Sequence, residues 1–303
     1  MIKFICAVLI LSISVASAKE VALTIDDAPL SGGLIYSGPK RTSRFIDVLK
    51  KEKIQAAFFC NPSRLNQDDG AARLTRYANA GHIIANHTFS HPSLNQVTAS
   101  EYAKEIERAE SILSSYSTFK KWFRFPFLHE GRTIEKRDAI RKHLDDSGYI
   151  NGYVTTDNYD YVINDFVQKA MKKKLKVDLD RACDMLSDLN LFGLEEQERL
   201  AKKHLGTSVT QVLLMHENDI EAFCLDKSIA KLRSNGWKIV SPERAYSDPT
   251  LKAAPNTLWL DQGRLAAIIA ATDGTMYKSK WENINELQRE LIKRKIAPTD
   301  ATP

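Results

Sequence analysis

Two histidines stand four residues apart in the first third of the chain. They are His87 and His91, in the stretch ANHTFSHPSL at residues 85–94. Four residues make about one turn of helix, so both imidazoles could face the same ion. The alternative is that one histidine caps a turn and the other lies on the surface. The pair therefore indicates a metal site only if the chain also supplies a third ligand and acid–base groups.

Two neighbouring carboxylates are candidates for those roles. Asp26 and Asp27 follow an apolar run in TIDDAP, residues 24–29. Neighbouring side chains in a regular strand face opposite ways, so both can serve one site only where the strand ends. In the functional interpretation, one carboxylate completes a His–His–Asp metal set and the other is a general base. In the alternative interpretation, both carboxylates cap a helix or a turn.

A site with three protein ligands and an open position suits catalytic zinc, with cobalt or nickel as alternatives. Such an ion lowers the pKa of a bound water toward ~7 and polarises a substrate carbonyl. The second carboxylate would remove the proton of the attacking water. An acid must then protonate the leaving group, and His216, at the end of the apolar run VLLM, is the candidate.

Strand-like and helical patterns alternate along the chain, which predicts an α/β fold with a parallel sheet, open or closed into a barrel. The predicted strands are 20–26, 54–60, 82–87, 121–127, 149–156, 210–216 and 237–241. The predicted helices between them are 41–53, 70–81, 98–116, 134–148 and 226–235.

Ligands of parallel α/β folds bind at the carboxyl ends of the strands. The chain places a charged or metal-capable side chain at five predicted strand ends, which is the main argument from the residues for an enzyme. These side chains are Asp26 and Asp27, His87, Arg124, Asp157 with Asp160, and His216.

The remaining segments set the predicted organisation. Residues 1–18 have a basic start, an apolar run and an A-x-A site, which is typical of a signal peptide and predicts a periplasmic or secreted protein. Residues 19–250 form the main domain, with an all-helical insertion at about 162–205. Residues 251–303 form a helical extension, with helices near 258–271 and 280–294.

The composition of the chain limits the classes of binding partner that we expect. With 43 basic and 38 acidic residues the chain is mildly basic, and it has no zinc-finger or RRM pattern, so we expect no nucleic-acid partner. We also expect no stable membrane insertion after signal cleavage. The three cysteines of the mature chain, Cys60, Cys183 and Cys224, allow one disulfide with one free thiol, or none.

Five short segments resemble the five motifs of NodB-type polysaccharide deacetylases, carbohydrate esterase family four. They are TIDDAP, HTFSH, RFPF, DNYDY and LLMH, which occur in this order. The resemblance covers residues 20 to about 248. It implies the family's distorted (β/α) barrel with fewer than eight regular strands, and an enzyme that removes acetyl groups from a carbohydrate polymer.

The resemblance also implies a role for each matching residue. Asp27, His87 and His91 would hold the metal, Asp26 would be the catalytic base and His216 the catalytic acid.

Supporting roles are implied in the same way. Arg124 would orient Asp26, and Asp160 would favour the protonated form of His216. The backbone N–H of Phe127 would bind the oxyanion, while Tyr161 and Leu214 would line the pocket for the acetyl methyl group.

The chain departs from the family pattern at several positions. Ala28 replaces the usual glycine, Phe127 the commoner tyrosine and Tyr161 the common tryptophan. LHEGRT, residues 128–133, replaces a short glycine turn, so we expect an altered groove wall. His129 and Glu130 in this segment are either substrate contacts or, as the sequence favours, part of a solvated loop.

Three functions follow from these patterns. The leading one is an exported hydrolase that removes N-acetyl groups from an amino-sugar polymer of the peptidoglycan, chitin or poly-N-acetylglucosamine type. The second is O-acetyl ester hydrolysis on a xylan-like polysaccharide at the same site. The third is a catalytically silent carbohydrate-binding homologue, which the full set of base, ligands and acid disfavours.

Overall fold

One parallel sheet forms the centre of the protein. The computed structural model describes residues 19–298, so the predicted signal peptide at 1–18 lies outside the described residues. The strand order is β5-β4-β3-β2-β1-β6, and β7 pairs with the start of β1. The strands are β1 (Lys19–Ala28), β2 (Ala57–Cys60), β3 (Ile83–Asn86), β4 (Phe119–Phe123), β5 (Ile150–Asn151), β6 (Gln211–His216) and β7 (Trp237–Ile239).

Helices connect and cover the strands. Within residues 19–298 they are α1 (Gly38–Lys51), α2 (Gly70–Asn79), α3 (Ala99–Leu113), α4 (Ile134–Asp146), α5 (Asp160–Lys172), α6 (Leu179–Leu205), α7 (Asp219–Ser234), α8 (Pro242–Tyr246), α9 (Pro249–Lys252), α10 (Arg264–Asp273) and α11 (Ile284–Lys293). The helix α7 begins seven residues before the predicted start, because Asn218 caps it by accepting the Glu221 N–H at 2.9 Å.

Both faces of the sheet are buried, as expected for parallel strands covered by helices. On β1, Val21, Leu23 and Ile25 belong to one core cluster, which includes Phe45 of α1. The alternating residue Ala22 faces a second cluster, to which Leu265 of α10 contributes.

The sheet curls until its two edges meet. The segment after β5 returns to β6, where Thr156 bridges Leu213 and accepts the N–H of Leu214 at 2.9 Å. The predicted strand at 149–156 is regular only at Ile150–Asn151. It is interrupted at Gly152, where a Cβ would lie 2.5 Å from the Phe59 ring. The structure thus confirms an α/β fold of the distorted barrel type.

The two long helices of the predicted insertion, α5 and α6, pack beside α7. A disulfide joins Cys183 of α6 to Cys224 of α7, and Cys60 is a buried free thiol. This is the first of the two arrangements that the cysteine count left open. Since 41 residues separate the bridged cysteines, the bond closes a long loop.

The segment after residue 250 packs on the barrel. The N–H of Arg264 donates to the carbonyl of Val154 at 2.7 Å, which places the start of α10 against the irregular segment that closes the sheet. Leu287 and Leu291 of α11 pack in the same core cluster as Cys183 and Cys224. Among the described residues, no helix has the length and apolar character needed to cross a membrane.

We expect the Cys183–Cys224 bond to contribute ~2–4 kcal/mol to the free energy of unfolding, because it restricts the unfolded chain over a long loop. Denaturant titration of the Cys183→Ser/Cys224→Ser variant should show this loss. Reductant should destabilise the wild type by a similar amount and leave the variant unchanged. Equal stability of oxidised and reduced wild type would contradict the expectation.

Candidate active site

The two aspartates of β1 serve the same site because the strand is irregular between them, and not because it ends there: β1 continues to Ala28. Asp26 lies on the same face as Ala22 and Thr24, at the carboxyl end of the strand. Asp27 then adopts a left-handed backbone with φ of 69°, and the pairing with β2 shifts register between Asp26 and Ala28. This irregularity turns the second carboxylate to the side that the first one occupies.

His87 and His91 lie in the loop after β3, so the expectation that one helical turn brings them together is wrong. Thr88 and His91 both have positive φ, which folds the loop back on itself. Asn86 accepts the N–H of Thr88 at 2.9 Å, and the Thr88 hydroxyl accepts the N–H of His91 at 3.0 Å. These local bonds bring the two rings to a centroid distance of 4.9 Å.

Asp27, His87 and His91 form a compact set of potential ligands. One donor atom from each lies within 4.8 Å of the others, and Asp27 Oδ1 is 3.5 Å from His91 Nε2. Two ligand atoms that are each about 2.1 Å from a tetrahedral zinc lie about 3.4 Å apart, so the separation suits such an ion. Asp27 Oδ1 is buried and accepts no hydrogen bond from any residue that the structure describes. The donor set therefore fits a small divalent metal.

The protonation states also suit a metal. His87 Nδ1 lies 2.8 Å from the carbonyl of Arg124, so this nitrogen donates and Nε2 keeps its lone pair. Burial, with His91 beside it, holds the pKa of His87 well below its usual range. Burial alone would raise the pKa of Asp27, but the surrounding histidines and Arg64 lower it to about 2. The site thus offers neutral imidazole and ionised carboxylate.

Asp26 is held by a buried arginine at the end of β4. Arg124 Nη1 lies 2.6 Å from Asp26 Oδ1, and both side chains are almost fully buried. Burial raises the pKa of Asp26 and the Arg124 charge lowers it, with a net rise to about 6. The other oxygen of Asp26 is 3.7 Å from His87 Nε2. Asp26 is therefore a carboxylate that is ionised near neutral pH, directly beside the ligand set.

The guanidinium of Arg124 is fixed by further partners. It donates to the Gly152 carbonyl at 2.7 Å, to the Thr24 hydroxyl at 2.9 Å and to the Tyr246 hydroxyl at 2.9 Å. Its carbon lies 4.0 Å from the centre of the Phe59 ring. Tyr246 was not predicted as part of the site, because it lies on the short helix α8, far along the chain.

His216 lies at the end of β6, where it is paired in register with Asp26 of β1. Asp160, fully buried at the start of α5, accepts from His216 Nδ1 at 2.6 Å and from the His216 backbone N–H at 2.7 Å. Burial would lower the pKa of His216, but the carboxylates of Asp160, Asp27 and Asp26 together raise it to about 10. His216 is therefore protonated at neutral pH.

Aromatic rings flank the cavity. Phe127 is 57% exposed, its ring lies 4.5 Å from that of His91, and its φ is 58°. The ring of Tyr161 is 41% exposed and lies 5.7 Å from that of His216. Leu214 is buried on β6. Phe127 thus stands beside the ligand set and Tyr161 beside His216.

The segment at 128–133 is only partly as expected. His129 is hydrogen-bonded to the Ser93 hydroxyl at 2.8 Å. Glu130 is not part of a solvated loop, because it is buried and forms an ion pair with Arg141 at 2.9 Å.

Asp157, at another predicted strand end, accepts the N–H of Tyr159.

A buried ionic network that was not predicted from the sequence connects the end of β6 to the end of β1. Glu217 follows His216, and both of its carboxylate oxygens lie 2.7 Å from Arg73 Nη2. One of them also accepts the N–H of Leu30 at 2.7 Å, and the backbone N–H of Glu217 donates to the carbonyl of Asp26. The run HEND directly after an apolar strand was the available signal.

We expect Arg124→Met to lower the free energy of unfolding by ~3–5 kcal/mol at pH 8, because it leaves the Asp26 charge buried and unpaired. In an Asp26→Asn background the same substitution should cost less. Denaturant titrations of the two single variants and the double variant measure this coupling. An equal cost in both backgrounds would show that the charges are not coupled.

Comparison with known proteins identifies relatives of this chain. Residues 14–144 match the polysaccharide deacetylase family. A peptidoglycan-N-acetylglucosamine deacetylase of Bacillus cereus is 35% identical over 109 residues, 36% of each chain. A chitin deacetylase of Arthroderma benhamiae is 26% identical over 233 residues, which are 76% of this chain and 52% of the relative. The matches thus span between a third and about half of these relatives.

Solved structures share the fold. The chitin deacetylase of Colletotrichum lindemuthianum superposes with a TM-score of 0.54 at 20% identity, over 77% of this chain and 90% of the other. A CE4-family pseudoenzyme from Bacillus anthracis superposes with a TM-score of 0.51 at 19% identity, over 76% of this chain and 66% of the pseudoenzyme. The sequence match over residues 14–144, the five ordered segments and the distorted barrel agree, and together they support a NodB-type polysaccharide deacetylase domain, carbohydrate esterase family four, in this chain.

Proposed function

We propose that this protein is an exported, metal-dependent hydrolase that removes N-acetyl groups from an amino-sugar polymer or oligomer. The observation that carries the proposal is the arrangement of one site at the carboxyl ends of the strands. A His–His–Asp set and an arginine-held carboxylate lie there together with a protonated histidine that has its own carboxylate, and this histidine is paired in register with Asp26. The names of the relatives, peptidoglycan and chitin deacetylases, favour the amino-sugar class.

Asp27, His87 and His91 would hold the metal. Mixed nitrogen and oxygen ligands favour zinc, with cobalt or nickel as alternatives. The bound ion would act as a Lewis acid and activate water at neutral pH.

The residues of the chain would supply the proton transfers. Asp26, kept in position by Arg124, would accept a proton from the attacking water. The backbone N–H of Phe127 would donate to the oxyanion of the tetrahedral intermediate.

His216 would then donate its proton to the departing amine, while Asp160 holds the imidazole by its Nδ1. Tyr161 and Leu214 would line the pocket for the acetyl methyl group. An amine is a poor leaving group without such an acid, so the His216–Asp160 pair suits amide hydrolysis.

Export is part of the proposal, with a periplasmic or secreted location. The disulfide between α6 and α7 supports it, since such bonds persist in oxidising compartments.

Two alternatives to the proposed activity are O-acetyl ester hydrolysis on xylan-like polymers and a catalytically silent role. Measuring the release of acetate from different polymers separates them.

We expect the purified chain to bind one zinc ion, and His91→Ala to weaken the affinity by at least about 100-fold through the loss of a ligand. Calorimetric titration of the metal-free protein measures the affinity. His129→Gln is the matched control, because this histidine lies near the same cavity but outside the ligand set. Unchanged affinity in His91→Ala would refute the proposed set.

We expect acetate release from peptidoglycan, chitin oligomers or poly-N-acetylglucosamine, with loss after chelation and recovery on adding zinc. Asp26→Asn should lower kcat by about 10²–10⁴-fold, the range for a general base. Asp165→Asn, on the exposed part of α5, is the control. Faster turnover of acetylxylan would favour the esterase alternative, and bound zinc without turnover of any substrate would favour the silent one.

A further inference from the structure

A second buried carboxyl group lies behind the Asp160–His216 pair. Glu221, in the first turn of α7, is fully buried. Its Oε1 accepts from Asn158 Nδ2 at 2.9 Å, and its Oε2 has no donor among the described residues. Asn158 holds the Glu221 carboxyl beside Asp160, because its Nδ2 donates to Glu221 Oε1 and its Oδ1 accepts the backbone N–H of Asp160 at 3.0 Å. Two neighbouring carboxyl groups buried in a protein favour one shared proton, because two buried negative charges repel strongly.

The proton belongs on Glu221. Asp160 accepts two hydrogen bonds from His216, one of them from the charged imidazolium, so its ionised form is the better stabilised of the two. Within residues 19–298, Glu221 has one neutral amide donor, Asn158, and forms no ion pair with a lysine or an arginine. Asp160 and His216 are the charged groups that face it, and Asn158 is held in place by Asn190 of α6 at 2.7 Å.

We propose that Glu221 is a positioning residue, held as the neutral carboxylic acid, which donates its proton in a hydrogen bond to Asp160. Asp160 then accepts from His216 on one side and from Glu221 on the other. The hydrogen bond from Glu221 would fix the Asp160 carboxylate behind His216. It would also weaken the attraction between this carboxylate and the imidazolium proton. The catalytic consequence rests on the proposed function, in which His216 is the acid. The protonation of Glu221 does not depend on that function.

Burial and the neighbouring Asp160 raise the pKa of Glu221 well above its usual range, in agreement with the neutral form. A glutamate that is protonated when folded and ionised when unfolded takes up one proton on folding. Stability is then lost as the pH rises above ~4.3, the usual pKa of glutamate. Glu221→Gln has no carboxyl group at this position, so its stability should not fall with rising pH for this reason.

The test compares the unfolding equilibrium constants of the metal-free wild type and Glu221→Gln between pH 5.5 and 7.5. We expect the ratio of wild type to variant to rise about tenfold per pH unit. Glu198→Gln is the matched control, since this buried glutamate of α6 has Ser208 and Lys202 as partners and should give no such trend. A constant ratio for Glu221→Gln would mean that Glu221 is ionised, and would overturn the proposal.

A second measurement covers the case in which the variant does not fold. Burial also raises the pKa of Glu282 to about 9, so it is first replaced by glutamine. In that background, with ¹³C-labelled glutamate, we expect one carboxyl carbon to keep the chemical shift of the protonated acid at pH 7. Its absence would overturn the proposal.

Kinetics tests the positioning role. Glu221→Gln keeps a neutral donor to Asp160, and its kcat should stay within about 3-fold of wild type. Glu221→Leu removes the donor, and its kcat should fall by at least about tenfold with KM unchanged. A lower kcat in Glu221→Gln together with an unchanged kcat in Glu221→Leu would overturn the positioning role. An inactive wild type would count against the proposed function, while the proton-uptake result would stand.

Discussion

A buried arginine connects Asp26 to the set of potential metal ligands. The guanidinium of Arg124 holds the Asp26 carboxylate, and the backbone carbonyl of Arg124 fixes Nδ1 of His87. The same guanidinium binds the Gly152 carbonyl, in the irregular segment that closes the sheet, and the Tyr246 hydroxyl. Barrel closure and the position of Asp26, the proposed base, thus depend on one side chain. A lysine could not replace it, because only the planar guanidinium has donors in all these directions.

The cavity stabilises opposite charges a short distance apart. On one side Arg124 stabilises a carboxylate that burial would otherwise neutralise, and on the other Asp160 stabilises an imidazolium that burial would also neutralise. Separate partners allow a base and an acid to coexist at one pH. The network around Glu217 links the strand ends that carry them, since its N–H binds the Asp26 carbonyl and its side chain binds the following loop.

The sequence predicted most of this arrangement, because apolar runs mark parallel strands and polar residues directly after them mark the carboxyl ends. It failed where tertiary contacts override local pattern. Residues 149–156 have a strand-like pattern, yet Gly152 packs against the Phe59 ring and breaks the strand. The spacing of His87 and His91 suggested a helix, whereas left-handed residues in a loop bring them together. The start of α7 had a readable signal in Asn218, the cap, that the periodicity obscured.

The link between α6 and α7 has a consequence for how the protein must be produced. Asn190 of α6 braces Asn158, and α7 carries Glu221, so both helices that the disulfide joins support the surroundings of His216. A chain made in a reducing cytosol would lack this covalent link. Its specific activity would then depend on the redox history of the preparation, so a free-thiol count belongs beside every kinetic measurement.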